Sequence, residues 1–123
     1  MRVEAPPLGG WEASKGIQNL EPITPDLQGV HLRLPGWGDA GPTLEIYSYA
    51  EMADKLPTFP NRMGYGHLAF EVADVAETLQ KLLQNGGDRL GEISGRAVEG
   101  VGYITFVYAK DPEGNIIEIQ NWC

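Results

Sequence analysis

At 123 residues the chain is large enough to bury a hydrophobic core without disulfides or a structural metal, and it fits one domain. Its apolar content of 42% is ordinary for a globular protein, and no run of about 18 apolar residues exists to span a membrane. The 9 basic against 17 acidic residues leave a formal charge of −8 and no Lys/Arg cluster, which argues against nucleic acid and anionic membranes as partners.

In chain order, Met1 to Gly10 carry no apolar stretch of the kind a signal peptide needs. The single cysteine, Cys123, has no internal partner, so a reducing cytoplasm is the expected location. Residues 1–42 are punctuated by Gly and Pro, among them Pro6-Pro7, Gly9-Gly10, Pro35-Gly36 and Gly41-Pro42. Within them Arg2 to Ala5 reads as a short strand, Trp11 to Leu20 as a short helix and Val30 to Leu34 as a strand. After a Gly/Pro loop, Thr43 to Tyr49 is a second clear strand.

The second half is dense with pattern. From His67 to Val72 residues alternate, with Leu68, Phe70 and Val72 on one face and His67, Ala69 and Glu71 on the other. Asp74 is the expected N-cap of a helix, with Glu77 three residues on in a capping-box arrangement. Val75, Leu79, Leu82 and Leu83 recur at helical spacing, and Asn85-Gly86-Gly87 supplies the stop. A strand is expected near residues 88–94, interrupted by Gly91, and another over Val101 to Ala109, rich in β-branched and aromatic residues. Asp111-Pro112-Glu113-Gly114-Asn115 is a turn, and Ile116 to Gln120 the closing strand. The second half therefore reads β-α-β-β-β, and the first half echoes its later part.

Gly64-Tyr65-Gly66-His67-Leu68-Ala69-Phe70-Glu71-Val72, the capped helix, and Asp111-Pro112-Glu113-Gly114-Asn115-Ile116-Ile117-Glu118 together resemble the glyoxalase / bleomycin-resistance / extradiol dioxygenase superfamily, the vicinal oxygen chelate proteins. Gly29 to Gly36, followed by Pro42-Thr43-Leu44-Glu45-Ile46-Tyr47, is similar to the end of that family's first module. The resemblance spans roughly residues 27–121. It implies an α+β fold of paired βαβββ modules closing a cupped mixed sheet. On this reading 1–123 is one glyoxalase-like domain: residues 1–50 form a first module truncated of its opening strand and helix, 51–63 a linker, and 64–123 a complete second module.

In the family a divalent metal is held by the first and last strands of each module. The resemblance therefore implies Glu45, His67 and Glu118 as ligands, with Glu118 also the catalytic, proton-transferring carboxylate. The fourth ligand has no counterpart in the sequence. By alternation Thr43 and Tyr47 share the face of Glu45, Ala69 that of His67, and Gln120 that of Glu118, while the opposite faces are aliphatic. One imidazole and two carboxylates suit Zn, Ni, Mn or Fe. A histidine at the start of a strand is, taken alone, more often structural than a ligand. His31 shares a face with Arg33 and reads as a surface residue, as does Glu71. Tyr47 and Tyr103 are the candidate substrate-pocket residues, with Tyr49 and Trp37 as further aromatics.

Two kinds of function follow from the resemblance. One is a divalent-metal-dependent lyase, isomerase or dioxygenase acting on a small oxygenated substrate. The other is a metal-free protein that binds or sequesters a small molecule, as bleomycin-resistance proteins do; an inactive remnant is a third outcome. The expected partners are a small-molecule ligand and a second copy of the chain. A homodimer would cover the apolar face of Leu32, Leu34, Leu44 and Ile46, which lacks a long helix in the sequence.

Overall fold

The structure, a computed structural model, describes residues 27–34 and 36–123. The expected strand at Arg2 to Ala5 and helix at Trp11 to Leu20 lie outside the described residues. The chain divides into two compact units, Met1–Lys55 and Leu56–Cys123, the boundary falling inside the stretch expected to be a linker.

The described part of the first unit is an antiparallel pair, β1 (Leu27–Arg33) and β2 (Thr43–Tyr49), in a register running from Leu27↔Tyr49 to Arg33↔Thr43. Strand β1 begins three residues before the apolar alternation that marks it, because Leu27, Gln28 and Gly29 are recruited by the ladder to Tyr49, Ser48 and Tyr47. The loop between the strands is closed by the Leu34 amide donating to the Pro42 carbonyl at 3.3 Å. An exposed ion pair between Arg33 and Asp39 adds little at the surface.

The second unit holds a mixed sheet of β3 (Leu68–Glu71), β4 (Asp88–Arg89), β5 (Ser94–Val98), β6 (Gly102–Lys110) and β7 (Ile116–Trp122), with one helix, α1 (Val75–Gln84). The order across it is β3-β7-β6-β4, and β5 also pairs with β6. Strands β6 and β7 are antiparallel neighbours joined by the Asp111 turn. There the Asp111 carboxylate accepts from the Glu113 and Asn115 amides at 2.9 and 2.8 Å, and Gly114 takes a φ of 80°. Strand β3 runs parallel to β7, so the first and last strands of the unit lie side by side.

Helix α1 starts where the sequence places it. Asp74 is extended (φ −137°, ψ 112°) and its carboxylate accepts from the Glu77 amide at 2.9 Å. The Glu77 side chain turns the other way, to Lys81 one turn along. At the far end Gly86 has a φ of 90° and donates to Leu83 at 3.3 Å, while Gly87 donates to Leu82 at 3.0 Å, the double closure of a Schellman motif. A Cβ at Gly87 would stand 2.7 Å from the Lys110 carbonyl and 2.5 Å from Leu82 Cγ, so only glycine lets the helix end lie this close to β6.

The core is the helix face Val75 and Leu79 against Val107, Ala109 and Ile119, with Val72, Leu82 and Ile117 packed at its border. The helix takes the side of the sheet expected of it but sits over the central strands β6 and β7 and over β4. Strand β3 is an edge strand, so Leu68 remains 47% exposed and only Val72, beyond the strand, joins the core border. Seating the helix over the middle of the sheet buries more apolar surface than seating it over the edge. The strand expected at 88–94 is instead two pieces, a two-residue β4 and a β5 that starts at Ser94. Among the described residues no helix is long and apolar enough to cross a membrane.

Candidate functional site

The parallel ladder of β3 on β7 sets Ala69 opposite Glu118, and the antiparallel ladder of β6 on β7 sets Tyr108 opposite the same residue. Glu118 therefore lies in the central strand of three, flanked by a small residue on one side and a tyrosine on the other. Strand alternation then fixes the faces. Val107, Ala109, Ile117 and Ile119 turn to the helix, so Tyr108, Glu118 and Ala69 share the other side of the sheet. Ala69 leaves room beside Glu118 for the imidazole of His67, which precedes β3 on the same face.

The result is a direct contact: His67 Nε2 stands 3.1 Å from Glu118 Oε2. A carboxylate only accepts, so in this pairing Nε2 carries the proton. Glu118 is buried, at 8% exposure, whereas the His67 ring is about one-third open to solvent. A buried carboxylate needs a partner of this kind, because leaving it unpaired in a low-dielectric setting costs several kcal/mol, roughly 3–5 by analogy with broken buried pairs.

Tyr108 completes the cluster. Its ring meets that of His67 edge to face, with centroids 5.2 Å apart and planes at 82°, and Phe106 meets Tyr108 in the same way at 5.9 Å. Burial pushes the Tyr108 phenol above its ordinary range; the negative charge of Glu118 and a hydrogen bond to that carboxylate push in the same direction, and the Arg96 guanidinium opposes them. The phenol thus stays protonated beside the Glu118 carboxylate, its cross-strand neighbour.

His67 and Glu118 come together in the second unit. Glu45 is an exposed residue of β2 in the first unit, with His31 as its ladder partner, and Tyr47 is half-buried on the same strand. Tyr103, expected in a substrate pocket, turns to the helix side of the sheet, away from Glu118. It is five residues from Tyr108 on an unbroken strand, and its ring lies over Gly95, where an added Cβ would stand 2.5 Å from its hydroxyl. The tyrosine on the face of Glu118 is Tyr108, which sequence reasoning passed over. Two signals could have found it: the odd spacing from Tyr103, and the pairing of Lys110 with Ile116 across the Asp111 turn, which carries Tyr108 to Glu118.

As metal ligands, an imidazole nitrogen and a carboxylate oxygen are the right donor types for a borderline divalent cation. An ion about 2.0–2.2 Å from each of two donors holds them roughly 3.0–3.4 Å apart at ordinary coordination angles. The 3.1 Å separation of His67 Nε2 and Glu118 Oε2 suits that arrangement. Among the described residues no group of three or more His, Cys, Asp or Glu gathers to hold an ion.

Comparison with solved structures finds a similar fold in the crystal structure of a glyoxalase family protein from Bacillus cereus, with a TM-score of 0.62 at 21% identity. The match covers 78% of this chain and 62% of that one, so the chain spans about three-fifths of the length of the structure it resembles. No curated protein matches the chain. The family model of the Glyoxalase/Bleomycin resistance protein/Dioxygenase superfamily matches residues 14–119, most of the chain, and the chain accordingly belongs to that superfamily.

Proposed function

We propose that the protein is a divalent-metal-dependent enzyme of the glyoxalase type acting on a small oxygenated substrate, with His67 and Glu118 as ligands and Glu118 as the residue that moves a proton. The observation that carries this reading is the 3.1 Å contact between an imidazole and a buried carboxylate at the pairing of the unit's first and last strands. Glu45 is carried as the third ligand by the sequence resemblance alone. A bound Zn, Ni, Mn or Fe ion would act as a Lewis acid that polarises adjacent oxygens of the substrate.

The chain's own residues supply the rest. His67 holds its ring by the edge contact with Tyr108 and offers Nε2. Glu118, enclosed by protein on most sides, exchanges a proton without competition from bulk water, which is where a general base gains most. An ion held by Nε2 would require the ring proton on Nδ1, so it would replace the Nε2–H···Glu118 pairing.

Calorimetric titration with Zn²⁺, Ni²⁺ and Mn²⁺ tests the reading. The expected result is about one ion per chain, lost in His67→Ala and weakened in Glu118→Gln; Glu45→Gln reads the third ligand independently. A wild-type chain that shows no saturable uptake would remove the metal-dependent reading. Saturable uptake of a small organic ligand by that metal-free protein would then favour a binding protein of the bleomycin-resistance kind.

A further inference from the structure

We propose that Tyr108 is the positioning residue of the His67–Glu118 pair, its hydroxyl fixing the Glu118 carboxylate and its ring edge fixing the His67 imidazole; the proposal deepens, and rests on, the metal-site reading above. The geometry that carries it is the order of three strands. Glu118 sits in β7, Tyr108 faces it from β6 on one side, and His67 faces it from the start of β3 on the other. The two rings nevertheless meet, with centroids 5.2 Å apart and planes nearly perpendicular, so they close over the strand that carries the carboxylate. Glu118 thereby lies between the two, with the His67 nitrogen at 3.1 Å on one side and Tyr108 as its cross-strand neighbour on the other.

The ring of Tyr108 is itself held. Phe106, two residues back on the same face, meets it edge to face at 5.9 Å, giving a row of rings from Phe106 through Tyr108 to His67. Phe106 shows that this face accommodates a plain aromatic ring. A phenylalanine at 108 would keep the ring contacts, and only the hydroxyl would be lost. Partners of this sort set the orientation of a ligating imidazole and carboxylate, and removing one typically lowers metal affinity about 10–100-fold.

Two measurements on Tyr108→Phe and Tyr108→Leu, each with the full chain, decide the matter. The first needs no metal: in ¹⁵N-detected spectra of the metal-free protein, the Nε2–H of His67 should be protected from exchange in wild type and lose that protection in both variants. The second uses Co²⁺ as the probe, reading affinity and visible absorption together. Tyr108→Phe should bind about 10–100-fold more weakly with displaced absorption bands, at unchanged far-UV circular dichroism, and Tyr108→Leu should bind more weakly still. A Tyr108→Phe protein with wild-type His67 protection and a wild-type Co²⁺ spectrum overturns the positioning role. If wild type takes up no Co²⁺, the metal reading fails, and the His67 signal in the metal-free variants still shows whether Tyr108 positions the pair. Should Tyr108→Leu fail to fold, Tyr108→Phe alone carries both readouts.

Discussion

The β1–β2 pair and the β6–β7 pair are both antiparallel, built of strands of 7 to 9 residues, yet β2 and the β6–β7 pair are buried to very different extents. In β6 and β7 the residues Val107, Ala109 and Ile119 are at 0%, 0% and 2% exposure, under α1. In β2 the matching face carries a half-buried Leu44 and an Ile46 that is 46% exposed. The alternation of the two strands is equally clear, so periodicity alone does not set burial; the helix seated on the face does. The consequence reaches the chemistry. Glu118 extends from a strand whose other face is locked into a core, and a ligand held that way keeps its position without reorganising. Glu45 extends from a strand with no comparable floor among the described residues.

Leu79→Ala breaks the contrast most directly. Leu79 is at 2% exposure in the centre of the helix face, between α1 and the β6–β7 pair. Truncation should destabilise the protein by about 2–5 kcal/mol, read by urea denaturation followed through far-UV circular dichroism. It should also weaken metal binding, since the floor under Glu118 loosens. A loss below about 0.5 kcal/mol would mean that the helix does not hold the sheet and that the contrast between the two pairs has another origin.

Much of this second unit was legible in the sequence, and the reasons are local. The alternation at Leu68 to Val72, the Asp74 cap, the Gly86-Gly87 stop and the Asp111 turn each satisfy a requirement of the backbone within a few residues, so each announces itself. Strand β5 did not. Ser94-Gly95-Arg96-Ala97-Val98 has no apolar alternation and is mostly exposed; it is extended because β6 offers it a ladder from Phe106 to Gly102. Which tyrosine joins Glu118 depends on register, fixed by the length of the Asp111 turn rather than by residue type, and residue type alone does not separate Tyr108 from Tyr103. His67 and Glu118 were nameable only through a family pattern. They are 51 residues apart, and what joins them is the parallel pairing of β3 with β7, which no local signal encodes.

A smaller effect sharpens the role of the helix. Asp74→Ala removes the acceptor of the Glu77 amide but no packing, since Asp74 is exposed. The expected loss is about 1 kcal/mol, the ordinary contribution of such a cap. Asp74→Asn should recover most of it, because the amide oxygen can accept the same bond. Equal losses in both variants would assign the effect to charge near the helix N-terminus rather than to the cap.

The smallest expected effect tests the exposed member of the comparison. Ile46 is 46% exposed, so within one chain Ile46→Ala gives up only part of an aliphatic side chain's burial and should cost no more than about 1 kcal/mol. The comparison with Leu79 then stands as drawn, a covered face against an open one. The sequence predicts a second copy of the chain over the aliphatic face of β2, and this substitution reads that directly. If Ile46 is enclosed between two chains, Ile46→Ala should cost more than about 2 kcal/mol, and the cost should grow with protein concentration, because dissociation is then part of unfolding. Sedimentation equilibrium at micromolar concentration supplies the independent check: a dimer that Ile46→Asp dissociates would support the enclosure. A wild-type monomer whose Ile46→Ala loss stays below 1 kcal/mol would leave β2 as an open face in solution and sink the homodimer.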